Sequence, residues 1–165
     1  MKNNFFIKYF KIMAKKLTKI LVKEFSTIKE MEQCLPLINL LYPKITLIKY
    51  KKSLKEMIHK KYKMLAIYHN DKIIAICGYY ISYMFYCGRY MQLCNLVVDK
   101  NYRSRGIGSK IIKYLEKKAK KLDCNKMVLD SYIHNKRSHS LYFEQGFYMR
   151  GFHFMKNIIT YDENS

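Results

Sequence analysis

Apolar and polar positions follow two periods along this chain, and the switches between them mark its elements. From Leu17 to Phe25 the pattern predicts a first strand. Ser26 or Thr27, followed by Glu30, has the form of a helix N-cap with its capping-box partner. That helix is expected to run through about Leu41 and stop at Tyr42-Pro43, and a second helix to run from about Leu47 to Lys61. Met64–Tyr68 and Ile73–Tyr83 then read as hairpin strands joined by His69-Asn70-Asp71-Lys72, and Tyr90–Val98 as a third strand stopped by Asp99-Lys100-Asn101. Beyond Gly106, Ile107, Ile111, Ile112, Leu115, Ala119 and Leu122 fall on one face of a 3.6-residue period, so a long amphipathic helix ends near Leu122-Asp123. Met127–Leu129 is a short strand, Lys136–Gln145 a helix, and Phe147–Ile159 one or two further strands. Pattern alone gives one α/β domain.

The loop Arg103-Ser104-Arg105-Gly106-Ile107-Gly108, with Ser109 at its end, opens the amphipathic helix. Free backbone N–H groups point out at such an end, and the helix dipole favours negative charge there. Two glycines allow close backbone approach and two arginines add fixed positive charge, so a phosphate-bearing ligand is expected. The P-loop order fails because Gly108 is followed by Ser109-Lys110. The dinucleotide fingerprint fails because Ile111 stands where its third glycine belongs.

What the loop does resemble is the Arg/Gln-x-x-Gly-x-Gly/Ala signature of the GNAT superfamily of N-acetyltransferases, met by Arg103, Gly106 and Gly108. A second stretch, Asn135 to Phe147, is similar to the family's downstream motif of an Asn, a Tyr-bearing helix and a Gly-Phe, here Asn135, Tyr142, Gly146 and Phe147. The resemblance covers roughly residues 17 to 159. It implies an α+β fold: a mixed, mostly antiparallel sheet flanked by helices, with two neighbouring parallel strands splayed around acetyl-coenzyme A. Those strands would be Tyr90–Val98 and Met127–Asp130.

The same resemblance implies roles. Arg103, Ser104, Arg105, Gly106, Ile107, Gly108 and Ser109 would hold the pyrophosphate, and Asn135 would contact the cofactor arm, with a plain helix N-cap as its other reading. Backbone N–H groups at Leu96, Val97 and Val98 would polarise the thioester carbonyl. Tyr142 would be the general acid for the departing thiolate, since an ordinary tyrosine holds its proton until a pKa of about 10. Many members carry a glutamate on the splayed strand where this chain has Asn95, and neither Asn95 nor Gln92 accepts a proton. Water, His134, His139 or an already neutral amine remain as routes for the proton, and no base is assigned. The acceptor side would take its character from residues 27–61 and 83–89, rich in Tyr42, Tyr50, Tyr62, Tyr83, Phe85, Tyr86, Lys44, Lys49, Lys51, Lys52 and Arg89, with Tyr90 just beyond.

Composition changes this picture little. The 165 residues are 50% apolar, enough for one substantial core. The formal net charge is +20, which favours an acidic partner, yet the basic residues are overwhelmingly lysine beside abundant Ile, Asn, Tyr and Phe, as A/T-rich codons produce. Nucleic acid is therefore a possible partner but not the favoured one. Five cysteines, at 34, 77, 87, 94 and 124, form no Cys-x-x-Cys pair and read as reduced thiols in a cytoplasmic protein. Histidines 59, 69, 134, 139 and 153 show no metal spacing, so no metal is expected. The longest uncharged run, Ile73–Gly88, is too short for a transmembrane span of about 20 residues. Residues 1–16 form a basic N-terminal extension in which Lys8 and Lys11 interrupt any signal-type core; a surface-bound helix, a floppy arm and a true start at Met13 are its readings. Residues 17–159 would be the single acetyltransferase-like domain and 160–165 a short tail. Two functions compete: an acetyl-coenzyme A-dependent N-acetyltransferase acting on a primary amine, and a non-catalytic module of the same shape that senses acyl-coenzyme A or binds nucleic acid.

Overall fold

The computed structural model describes residues 20–158, so the N-terminal extension and the last residues lie outside it. Five strands form one sheet in sequence order: β1 (Ile20–Phe25), β2 (Lys63–His69), β3 (Lys72–Met84), β4 (Gly88–Val98) and β5 (Lys126–Leu129). All neighbours are antiparallel except β4 and β5, which run parallel. This is the mixed, mostly antiparallel α+β sheet expected. Asn70 and Asp71 both have positive φ, 48° and 61°, as the tight two-residue turn between β2 and β3 requires.

Helices cover both faces. On one, α1 (Ile28–Glu32), α2 (Leu35–Ile38) and α3 (Leu47–His59) pack Met31, Leu37, Ile38, Tyr50 and Leu54 against Phe25, Met64, Ala66, Ile76 and Val97. The Tyr50 hydroxyl donates to the Met31 carbonyl at 2.9 Å and so ties α3 to α1. On the other, α4 (Ile107–Lys121) lays Ile107, Ile111, Leu115 and Ala119 on Leu65, Ile67, Ala75, Cys77 and Leu93. Each of these large aliphatic side chains contributes about 1.5–3 kcal/mol by leaving water. The last helix, α5 (Lys136–Glu144), lies beside the start of α4, where Leu141 meets Gly108. No helix among the described residues is long and apolar enough to cross a membrane.

Two expectations need correction. The single helix expected from Thr27 to Leu41 is broken in two. Its capping box forms as expected, with Glu30 and Thr27 bonded reciprocally, but α1 ends at Glu32. Pro36 lacks an N–H, and its ring would strike the carbonyl four residues back, that of Glu32; it is accommodated at the start of α2 instead. The strands expected over Phe147–Ile159 are also absent from the described residues 147–158. Phe147 packs on the core, but Tyr148, Met149, Phe152, Phe154, Met155 and Ile158 are exposed. Alternation creates a strand only when a sheet edge and a buried face receive it, and here neither does.

Candidate active site

The site begins with a defect in β4. Cys94 pairs with Gly78 and Val97 with Ile76, so Asn95 and Leu96 together oppose Cys77. Asn95 takes φ of 53°, a left-handed conformation that asparagine tolerates better than most residues. This bulge bends the strand. Pairing to β5 ends at Leu93↔Leu129, and beyond it the two strands part. The expected splay is therefore present, with the bulge at its origin.

A cavity of about 110 Å³ lies in the gap. Leu93, Cys94, Asn95 and Leu96 form one wall, and Leu129, Asp130, Ser131 and Tyr132 the other. Asn135, Ser138 and Tyr142 of α5 and its cap close one side, and Leu41 and Tyr42, following α2, close another. Tyr42 donates to Asn95 Oδ1 at 2.9 Å, pinning the bulge to the helical layer. Burial raises the Tyr42 hydroxyl, with smaller contributions from Tyr132 and Cys94. Burial also raises Tyr142, helped by Cys77, while Ser138 works the other way. Tyr142 thus keeps its proton at neutral pH. Its ring is fixed edge-on to Phe147, centroids 5.8 Å apart.

The glycine loop adjoins this cavity through α5. Ser104 (φ 58°) and Gly106 (φ 71°) are both left-handed, a feature of the backbone turns from which anion-binding nests are built. Gly106 caps α4 without a side-chain bond, so the donors of the first turn remain open. Arg103 folds back, its Nε donating to the Val98 carbonyl at 3.1 Å, and Arg105 stacks on Tyr102. Arg103 therefore braces the loop. Arg137 of α5 donates to Ser104 Oγ at 3.0 Å and brings a cation that the loop motif did not reveal.

The structure brings Leu96, Asn135 and Tyr142 together in the cavity, whereas Val97 and Val98 continue β4 away from it. Arg103 to Ser109 sit at the α4 N-terminus beside α5 rather than in the cavity wall. Asn135 lines the cavity and also caps α5, its Oδ1 accepting from the Ser138 N–H, so capping does not take it out of the cavity wall. Neither His134 nor His139 lines the cavity; His139 Nε2 lies 3.0 Å from the Tyr132 carbonyl and is engaged there. Of the tyrosines expected on the acceptor side, Tyr50, Tyr62 and Tyr90 are core residues, while Tyr42, Tyr83 and Tyr86 are exposed. Arg89 is structural as well, donating to the Leu122 carbonyl at 2.8 Å. Sequence reasoning passed over Asp130, Tyr132 and Ser138. The position of Asp130, directly after a short strand that must splay, was the one available signal. Among the described residues no cluster of three or more His, Cys, Asp or Glu could hold a metal ion.

Residues 29–147 match the family model described as the acetyltransferase (GNAT) family. The chain belongs to that family, and it is an acetyl-coenzyme A-dependent N-acetyltransferase. It is 25% identical over 139 residues to the uncharacterized N-acetyltransferase YhdJ of Bacillus subtilis, covering 83% of this chain and 98% of that one. A shorter match, 41% identical over 64 residues, covers 39% of this chain and 38% of the thialysine N-epsilon-acetyltransferase of Bos taurus. Among solved structures, glucosamine-6-phosphate N-acetyltransferase from Arabidopsis thaliana superposes with a TM-score of 0.66 at 20% identity, covering 86% of this chain and 99% of that one. The aminoglycoside acetyltransferase AAC(6')-Iy, in complex with a bisubstrate analogue of coenzyme A, superposes with a TM-score of 0.72 at 16% identity, covering 85% and 99%. These two superpositions speak for the fold alone.

Proposed function

We propose that the cavity between the splayed strands is where acetyl transfer takes place, with its parts divided among three segments. The loop from Arg103 to Ser109 holds the cofactor pyrophosphate on open N–H groups at the α4 N-terminus. Arg137, bonded to Ser104, adds charge to that end, and Asn135 meets the cofactor arm. The backbone N–H of Leu96, the one residue of the expected Leu96–Val98 stretch that lines the cavity, faces developing charge on the thioester oxygen. Such a donor is worth about 3–4 kcal/mol where one has been removed from an enzyme. The amine nitrogen, neutral once its ammonium proton has passed to water, attacks the carbonyl carbon. The C–S bond breaks, the Tyr142 hydroxyl gives its proton to the thiolate, and the proton released from nitrogen as the amide forms returns to the Tyr142 oxygen through solvent. The acceptor is an aliphatic primary amine, a feature shared by the amino-sugar phosphate, aminoglycoside and thialysine named for the similar proteins. A cytoplasmic location is supported by five free cysteines, of which Cys34, Cys77 and Cys87 are buried.

The observation that carries this reading is the meeting of two distant sequence motifs: Gly108 abuts Leu141, Ser104 bonds Arg137, and Tyr142 of the same helix lines the splay. Isothermal titration of the folded protein with acetyl-coenzyme A tests it. Saturable binding that weakens at least tenfold in Gly106→Asp, which adds negative charge to the loop, is the expected result. No binding at millimolar ligand to protein with a normal circular dichroism spectrum would exclude the assignment.

A further inference from the structure

The family resemblance leads one to seek a carboxylate on β4, and the structure has none in that part of the cavity wall. Among the described residues one carboxylate lines the cavity, that of Asp130, where the chain leaves β5. No lysine or arginine among the described residues lines it. In a chain of formal net charge +20, a cavity whose single ionised lining group is negative is a local reversal of sign. Asp130 is also held from two sides. Gln92 of β4 reaches its Oδ2 with Nε2 at 3.4 Å, and His153 Nδ1 stands 3.5 Å from its Oδ1. Its influence extends inward, since its charge contributes to raising both Cys94 and Tyr80. The side chain is 66% exposed, so an incoming ligand can reach it and cover it.

We infer that Asp130 receives the acceptor as a protonated aliphatic amine, its carboxylate accepting hydrogen bonds from the ammonium group at the open end of the splay, from which a proton passes to water before the nitrogen attacks. This rests on the acetyl-transfer site proposed above and specifies its acceptor. Ammonium–carboxylate hydrogen bonds are charge-assisted and about twice as strong as neutral ones. An incoming cation is repelled by the net charge of the protein and needs a fixed negative group where it is to stop. Around that group the cavity offers Leu41, Tyr42 and Tyr132, surfaces for an uncharged body rather than for further ammonium groups. A neutral arylamine gains nothing from such an anchor, and a polyamine finds no second carboxylate among the described residues of the cavity wall.

The test needs no knowledge of the natural acceptor. S-(2-aminoethyl)-coenzyme A carries an ammonium close to where the attacking nitrogen would stand, and S-(2-hydroxyethyl)-coenzyme A is its uncharged counterpart. Titrated calorimetrically at neutral pH, the protein is expected to bind the ammonium ligand at least tenfold more tightly than the hydroxyl ligand. That preference should vanish in Asp130→Asn and survive in part in Asp130→Glu, while affinity for the hydroxyl ligand stays unchanged in both. Equal affinity of the unmodified protein for both ligands would overturn the inference, as would a preference persisting in Asp130→Asn. If neither ligand binds, and acetyl-coenzyme A does not bind either, the acetyl-transfer site itself is refuted and this inference with it.

Discussion

Replacing Gly78 by alanine should cost far more than one methyl group normally does. A Cβ built at Gly78 would lie 1.8 Å from the Tyr62 hydroxyl oxygen, 2.3 Å from its Cζ and 2.4 Å from its Cε2, all well inside contact distance. The ring cannot yield easily. Tyr62 is 1% exposed, its hydroxyl is buried without a hydrogen-bond partner, and its ring packs on Tyr80 with centroids 5.5 Å apart. Either β2 and β3 shift, which overpacking experience puts at about 1–3 kcal/mol, or the ring leaves its pocket and forfeits a comparable burial energy. We expect Gly78→Ala to destabilise by about 2–4 kcal/mol, a large part of the usual 5–15 kcal/mol. Strand glycine to alanine would otherwise stabilise slightly. Urea denaturation of Gly78→Ala, Tyr62→Leu and the double variant measures the effect. Leucine lacks the three clashing atoms, so in the Tyr62→Leu background the Gly78 substitution should cost about 0.5 kcal/mol or less. Additivity of the two changes within about 0.5 kcal/mol would refute the argument, because it would mean that the ring does not occupy the Cβ position.

Tyr142→Phe keeps the edge-on packing against Phe147 and removes only the hydroxyl, so kcat should fall about 100-fold or more while acetyl-coenzyme A affinity stays within twofold; steady-state kinetics and calorimetry check both. Glu24 provides a pH prediction. Burial acts to raise its carboxyl, but hydrogen bonds from Lys118, Lys63 and Tyr79 outweigh that and hold it at about 2 against an ordinary 4.5. Because the folded value is the lower one, the stabilisation is fully present above about 4.5 and is lost as pH falls from there towards 2. After allowance for solvent screening, Glu24→Gln should cost about 1–2 kcal/mol at pH 7 and progressively less below pH 4.5; urea midpoints at pH 7 and pH 3 that fall by the same amount would contradict this.

Much of this architecture could be read from letters because local and tertiary demands agree. Asn70-Asp71 suits the turn that β2 and β3 need, and the apolar stripe from Ile107 to Ala119 is the stripe that packs. The glycine loop stood out because the role expected of it rests on backbone geometry, and Gly106 does occupy a left-handed position. What escaped was whatever depends on a partner. Tyr42 and Tyr50 look alike as letters, yet one borders the cavity and the other is tied under α1. Arg103 looked like a free cation until Val98 proved to hold it, and Arg137 looked like an ordinary helix residue until Ser104 proved to lie beside it. The exposed aromatics after Phe147 carry strand-type letters without a strand to join. Pro36 is a different case, for its effect on the helix is purely local and the break was visible in principle.

Asn95 shows why the missing glutamate and the splay belong to one argument. The residue at 95 adopts φ of 53° where β4 bulges against β3, two residues beyond its last pairing with β5. Asparagine enters that region readily, whereas a glutamate there would carry the left-handed penalty of about 1–2 kcal/mol. Its amide oxygen also accepts a hydrogen bond from the Tyr42 hydroxyl, which couples the bulge to the helical layer. In this chain the position is committed to shaping the gap, and a side chain serving that purpose cannot also extend an ionised group into it. A carboxylate serving the acceptor must then come from the other wall, and the first residue after β5 pairing ends is Asp130. Gln92, three residues before the bulge on β4, meets it across the strands. The negative charge is displaced by one strand while the gap it faces stays the same.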